Sequence, residues 1–250
     1  MKRYPELEWT PDLVAKFWNY TSRFPEQYFT HSHGDEILRQ LRPYLTECDT
    51  ILDYGCGAGH LLDKLLIRGC RAAGLDFSHE SVAAVAHRFA GRENFLGAFQ
   101  PGDLHHAGRQ FDAILVLEVI EHLNNDALET LLSHVHRILK SGGVIIFTTP
   151  NDEQLENDHV FCPSCEKVFH RWQHVRSWSE TVLRQYLEER GFEVIDSVTT
   201  DFNEKRRRKN RRLVKKCKAL WARLLYGAKL NTKEPHLAVV CRLPSRHTIR

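Results

Sequence analysis

Ile51-Leu52-Asp53-Tyr54-Gly55-Cys56-Gly57-Ala58-Gly59 runs into His60-Leu61-Leu62-Asp63-Lys64-Leu65-Leu66-Ile67, and then into Arg71-Ala72-Ala73-Gly74-Leu75-Asp76. A short apolar run breaks at a glycine turn, leucines at 61, 62, 65 and 66 recur on one helical face, and a second apolar run follows. That order predicts a strand, a crossover helix and a parallel strand. Further along, Asn94 to Phe99, Phe111 to Leu117 and Gly143 to Thr148 predict strands three to five, the last preceded by a Lys-Ser-Gly-Gly turn at 140–143. Glu180 to Arg190 predicts a helix stopped at Gly191, with strands over Phe192 to Val198 and His236 to Arg242. The alternation predicts an α/β domain, residues 50–250, built on a doubly wound, mostly parallel sheet of seven strands.

Composition narrows the class. With 250 residues the chain buries roughly 70 to 75% of its unfolded surface. Its 42% hydrophobic and 27% charged residues suit a soluble domain. No apolar run reaches the roughly 18 residues of a membrane span, and Met1-Lys2-Arg3-Tyr4-Pro5 lacks a signal peptide's apolar stretch, which predicts a cytoplasmic protein. Seven cysteines, five of them scattered singly, do not form a disulfide framework. The net charge of +3 hides an asymmetry: Glu204 to Lys229 holds twelve Lys/Arg and one acid, leaving 23 bases and 31 acids elsewhere.

The glycine turn sits where open α/β sheets bind ligands, at the carboxyl end of the first strand. Its spacing is G-x-G-x-G; the dinucleotide fingerprint would need a small residue at position 60, which is His60. A Cβ at Gly55 or Gly57 would occupy space a ligand could use. Asp76, ending strand two, is placed to accept both hydroxyls of a ribose. A ribose without a pyrophosphate points to an adenosyl compound.

Residues 50–151, about 40% of the chain, resemble a class I S-adenosylmethionine-dependent methyltransferase. The likeness rests on Leu52 to Gly59 as the glycine motif, Asp76 as the ribose acid, Phe111-Asp112 opening strand four, and Leu139-Lys140-Ser141-Gly142-Gly143 before strand five. It implies a Rossmann-like fold and a cofactor site of Asp53, Gly55, Cys56, Gly57, Gly59, Asp76, Phe77 and Glu118. Ala98-Phe99-Gln100 occupies the place from which that family contacts adenine, with Asp103 following.

Glu118-Val119-Ile120-Glu121-His122 follows strand four on the same edge. Were the chain helical there, Glu118, Glu121 and His122 would share one face. Two carboxylates and an imidazole suit Mg²⁺ or Mn²⁺, which would lower the pKa of an acceptor hydroxyl; without metal, His122 would serve as general base. The run resembles that of ubiquinone-biosynthesis O-methyltransferases. It also resembles small-RNA 3′-terminal 2′-O-methyltransferases, which carry a further His after a segment like Thr149-Pro150-Asn151; that resemblance implies His174 as a fourth ligand. In metal-free relatives the same run leaves Glu118 lining the pocket and His122 packed within it.

Within an insertion at 152–178, Cys162-Pro163-Ser164-Cys165 resembles a zinc knuckle, and His170 with His174 would complete a Cys₂His₂ site for structural zinc. His174 cannot serve both ions. Between strands six and seven, the basic insertion 203–231 carries Leu213, Cys217, Leu220, Trp221 and Leu224 at helical spacing. It suits an anionic membrane surface, nucleic acid, or a lid over the pocket, and membrane is favoured because charge alone would suffice for a phosphate backbone. The aromatic-rich residues 1–49 form an N-terminal helical segment that either packs on the sheet or caps the site.

Together these readings predict a methyltransferase acting on a hydroxyl of a small molecule, sugar or lipid-linked precursor, working in the cytoplasm or at the inner membrane face. The alternatives are an RNA-terminal 2′-O-methyltransferase and a non-catalytic ligand-binding or scaffold protein of the same fold.

Overall fold

The first central strand, β1 (Thr50–Tyr54), is buried along its whole length. A strand covered by helices on both faces has no solvent side to alternate with, so its apolar run is continuous. Its alternate residues still part to opposite faces. Leu52 and Tyr54 join one cluster with Ile114, Val116 and Phe147, while Ile51 joins another with Ala113, Leu115 and Ile146. A computed structural model describes residues 4–106, 108, 110–203 and 234–244.

In chain order the elements are α1 (Pro11–Thr21), α2 (Phe29–Leu45), β1, α3 (His60–Ile67), β2 (Arg71–Leu75), α4 (His79–Arg88), β3 (Phe95–Phe99), α5 (Pro101–His106), β4 (Phe111–Leu117), α6 (Asn125–Ile138), β5 (Leu139–Pro150), β6 (His159–Cys162), β7 (Lys167–His170), α7 (Glu180–Glu188), β8 (Glu193–Thr200) and β9 (His236–Arg242). The main sheet is ordered β3-β2-β1-β4-β5-β9-β8, and β6 and β7 form a separate hairpin. β1 to β5 pair in parallel, and β9 runs antiparallel to both β5 and β8. The seven-stranded, mostly parallel doubly wound sheet is the expected one.

The helices bury stripes the sequence sets out. In α6, Leu128, Leu131, Leu132, Val135 and Ile138 recur at three- and four-residue steps and are buried. Its start is fixed by Asn124, whose Oδ1 accepts the Ala127 N–H at 2.9 Å. On the other face, Ile37, Leu38 and Leu41 of α2 pack with Leu61, Leu62 and Leu65 of α3.

One reading changes. The Lys-Ser-Gly-Gly segment is not a turn ahead of strand five but part of β5: Phe111 pairs with Leu139, and the register shifts before Ala113 meets Val144. Gly142, at φ +75, absorbs that irregularity inside the strand. The sixth strand, β8, is an edge strand whose sheet neighbour is β9, to which it is antiparallel. It still points the same way as β5, because Thr200 and Pro150 both pair with His236. Residues 203 and 234, which flank the basic insertion, therefore sit at the carboxyl edge, where Asn151 N–H donates to Pro235 O at 2.9 Å. The insertion's stripe from Leu213 to Leu224 lies outside the described residues. Among the described residues no helix is long and apolar enough to cross a membrane.

Candidate active site

The glycine turn closes against strand two. Gly55 and Cys56 N–H groups donate to Leu75 O at 2.7 and 3.0 Å, and Gly57 N–H donates to Asp76 Oδ2 at 2.8 Å. Asp76 Oδ1 accepts the Ser78 N–H at 2.9 Å. Gly55 adopts φ +84, and a Cβ there would lie 2.7 Å from Val119 Cγ2; at Gly57 it would lie 3.1 Å from the Tyr28 ring, and at Gly59 2.9 Å from Phe89. The glycines are thus required by backbone shape and by close neighbours at the start of α2, at the end of α4 and in the turn after β4. Cys56 points away from the edge: its sulfur lies 2.8 Å from where a Gly74 Cβ would be, and burial pushes its thiol pKa well up. Phe77 is half exposed beside the turn, its carbonyl accepting from Gln100 Nε2 at 3.2 Å. Asp53 is buried, with Oδ2 left without a partner. Burial, then the charge of Asp76, raises its pKa to about 7.

The turn after β4 abuts this one through the Val119–Gly55 contact. It is not helical. Glu118 has φ +53 and its N–H donates to Thr148 O at 3.0 Å, so the chain leaves β4 in a kink, and α6 begins only at Asn125. The expected helical face therefore does not form. Glu118 is set apart, its carboxylate accepting Thr148 Oγ1 at 2.8 Å, while Glu121 and His122 meet His174 with ligand atoms within 4.8 Å of one another. Glu121 is 1% exposed; Oε2 accepts Thr149 Oγ1 at 3.1 Å and Oε1 has no partner, with His122 Nε2 3.8 Å away. Burial raises Glu118 to about 8 and Glu121 well above the carboxylate range, the latter helped by the charge of Glu118. Burial, then the neighbouring His174, lowers His122 to about 3, which keeps it neutral with a lone pair to give.

His174 comes from the segment after β7. Val175 N–H donates to Glu121 O at 2.9 Å, and Gln173 ties the parts together: its Nε2 donates to His122 O at 3.1 Å, its Oε1 accepts from Trp18 Nε1 at 3.0 Å. The Trp18 ring meets that of His122 edge-on at 4.9 Å. Residues of α1 and of the stretch before α2 thus lie across the carboxyl edge.

The Cys₂His₂ arrangement does not assemble. Cys162 ends β6, where it pairs with Lys167, and Cys165 lies in the turn of the β6–β7 hairpin, whereas His170 pairs with His159 at the hairpin's other end. Lys167 and His170 are three strand steps apart, roughly 10 Å. His170 and His174 instead meet Glu153, their ligand atoms within 4.8 Å.

Trp18 and Tyr28 belong to the aromatic-rich segment expected to pack on the sheet or cap the site, whereas the sequence assigns no role to Glu153 or Gln173. Glu153 follows the Thr149-Pro150-Asn151 segment by two residues, and that closeness to the end of β5 was the one available signal.

The methyltransferase domain family matches residues 23–197. A probable S-adenosylmethionine-dependent methyltransferase of Mycolicibacterium smegmatis is 29% identical over 69% of this chain and 62% of its own length. The ubiquinone biosynthesis O-methyltransferase of Ruegeria pomeroyi is 29% identical over 76% of this chain and 83% of its own. The crystal structure of Burkholderia thailandensis 1,6-didemethyltoxoflavin-N1-methyltransferase covers 96% of this chain and 92% of its own with a TM-score of 0.63 at 17% identity, a likeness of fold. Against four curated relatives the chain spans 45 to 63% of their length. With the family matching well over half of the chain, and with the glycine turn, Asp76 and the seven-stranded sheet in place, this chain belongs to the methyltransferase domain family.

Proposed function

We propose that the domain transfers a methyl group from S-adenosylmethionine to a hydroxyl oxygen of a small molecule, sugar or lipid-linked precursor. The observation that carries the reading is the contact of two turns at the carboxyl edge. One is glycine-rich and backed by the buried Asp53 and by Asp76; the other carries the acid and imidazole cluster, and Val119 joins them. When bound, the cofactor supplies an electrophilic methyl on a sulfonium, which suits a turn whose Asp53 is buried with a partnerless oxygen. The Gly55–Gly59 turn positions the ligand's backbone-facing side, and Asp76 holds the ribose hydroxyls. Holding the reacting atoms close and aligned supplies much of the acceleration.

Glu121, His122 and His174 fit a divalent cation: Glu121 Oε1 is buried and partnerless, and His122 Nδ1 is turned to the Gln173 carbonyl at 3.5 Å, leaving Nε2 free. One carboxylate and two imidazoles suit Mn²⁺ better than Mg²⁺. Such an ion would lower the pKa of the acceptor hydroxyl. Without it, neutral His122 takes that proton at Nε2.

O-methylation is favoured by the ubiquinone-biosynthesis relatives. The flanks of the basic insertion at the carboxyl edge favour an acceptor presented at an anionic surface, with RNA as the competing occupant. The test incubates the protein and lysate fractions with methyl-labelled cofactor, with and without chelator. Label in a lipid or small phenolic metabolite supports the reading; label in RNA supports a terminal 2′-O-methyltransferase, and no label with intact cofactor binding supports a scaffold.

A further inference from the structure

Glu153 carries an arrangement that the reaction as described does not use. Its carboxylate lies between two imidazoles: Oε2 is 2.6 Å from His174 Nδ1, and Oε1 is 3.4 Å from His170 Nε2. The two rings stack at 4.3 Å, 17° from parallel. They do so because the chain reverses tightly after β7, with Gln173 at φ +63 and its N–H donating to His170 O at 2.9 Å.

The backbone decides where the protons sit. Trp172 and His174 N–H groups both point at His170 Nδ1, at 3.3 Å each. A nitrogen accepting from N–H groups carries no hydrogen, so the ring's proton is on Nε2 and faces Glu153. His170, 2% exposed, therefore turns Nε2–H toward Glu153 Oε1 at 3.4 Å without completing a hydrogen bond, and has no lone pair left to give a metal. On His174 the carboxylate accepts from Nδ1–H, which leaves Nε2 as the basic nitrogen of that ring. A metal-ligating histidine is commonly held by a carboxylate on its other nitrogen in this way.

We propose that Glu153 is a positioning residue: it fixes the tautomer of His174 so that Nε2 is offered to a cation shared with Glu121 and His122, and His170 anchors Glu153 without itself being a ligand. The proposal rests on the metal-binding reading above and assigns His174 to that site rather than to a zinc knuckle.

Two readouts test it, neither requiring turnover. Long-range ¹⁵N–¹H correlation spectra, with His174 assigned by a His174→Gln variant, should show the Nδ1–H tautomer in the metal-free wild type. Glu153→Ala should shift His174 to the Nε2–H form or a mixture. Mn²⁺ titration followed by the free-ion electron paramagnetic resonance signal should show affinity lowered 10- to 100-fold in Glu153→Ala and largely restored in Glu153→Asp. Unchanged cofactor binding by calorimetry certifies that the variants fold. Wild type that keeps the Nδ1–H tautomer but takes up no Mn²⁺ would remove the metal reading, and the ligand half of the proposal with it. An unchanged tautomer and unchanged Mn²⁺ affinity in Glu153→Ala would overturn the positioning role while leaving Glu121, His122 and His174 as ligands. Metal binding that survives His122→Ala but disappears in His170→Ala would also overturn it, by making His170 a ligand.

Discussion

The two turns at the carboxyl edge are built in opposite ways. The glycine turn is assembled from consecutive residues of one strand-helix-strand unit, and its hydrogen bonds close between Gly55, Cys56, Gly57 and the end of β2 about twenty residues away. The acid and imidazole cluster draws Glu121 and His122 from the turn after β4, Glu153 from beyond β5, and His170 and His174 from a hairpin's exit. Backbone shape makes the first; side chains brought together by separate loops make the second. A site of the first kind should fail by losing ligand affinity and fold together. One of the second kind should lose chemistry while the cofactor still binds.

His122→Ala gives the largest expected effect and tests that division directly. It should lower kcat by roughly 10²- to 10⁴-fold, whether the imidazole acts as ligand or base, with cofactor affinity unchanged by calorimetry. A variant that instead lost cofactor binding would show that the two turns are one functional unit.

Gly55 and Gly91 sharpen the other side. Both have positive φ, +84 and +82, but a Cβ at Gly91 meets nothing within 4 Å, whereas one at Gly55 strikes the β-branched Val119 at 2.7 Å. Gly91→Ala should cost only the left-handed backbone penalty, about 1 to 2 kcal/mol. Gly55→Ala adds overpacking of roughly 1 to 3 kcal/mol and displaces the turn bearing Glu118 and Glu121. Urea unfolding of the two variants isolates the clash, and equal losses would mean Val119 moves aside freely.

Asp76→Ala should weaken cofactor binding roughly 10- to 100-fold, about 1 to 3 kcal/mol, because it removes the proposed acceptor of the ribose hydroxyls together with that of the Gly57 and Ser78 N–H groups. Calorimetry against wild type reads this. An unchanged dissociation constant would leave Asp76 as a brace for the glycine turn alone.

Legibility in the sequence followed the same division. β1, α3, β2 and β4 were readable to within a residue, because period and punctuation are local signals. The start of β5 was not, since Lys140 to Gly143 has turn composition and lies in the strand only because Leu139 before it and Val144 after it pair with β4. Glu118, Glu121 and His122 were legible as candidates, but their shared helical face was not realised. Sequence spacing cannot show that Glu118 enters a left-handed conformation held by Thr148. The error over zinc has the same origin: Cys162 and His170 are eight residues apart, close enough for a knuckle in a loop and too far along a hairpin. Glu153 went unread because an acid becomes a positioning residue only through the rings packed beside it.

The smallest expected effect concerns Asp53, a buried carboxylate with a partnerless oxygen in the glycine-turn half. Burial first, and then the charge of Asp76, raises it from the usual 3.8 to about 7. A raised carboxyl means the folded, ligand-free protein holds a proton that the unfolded chain releases. The stability this contributes is fully present below pH 3.8 and is lost as pH rises through about 7. A cationic ligand in the turn reverses that preference, since it favours the ionised form, so binding expels the proton at acidic pH. Affinity for S-adenosylmethionine should therefore rise with pH up to about 7 and then level. Each pH unit below that point weakens it by up to about tenfold, or 1.36 kcal/mol. Calorimetry from pH 5.5 to 8 should show the slope in wild type and its loss in Asp53→Asn. S-adenosylhomocysteine, which lacks the sulfonium, should show a shallower slope. A flat wild-type profile would mean that Asp53 does not sense the ligand's charge, and that its burial serves the β1–α3 corner alone.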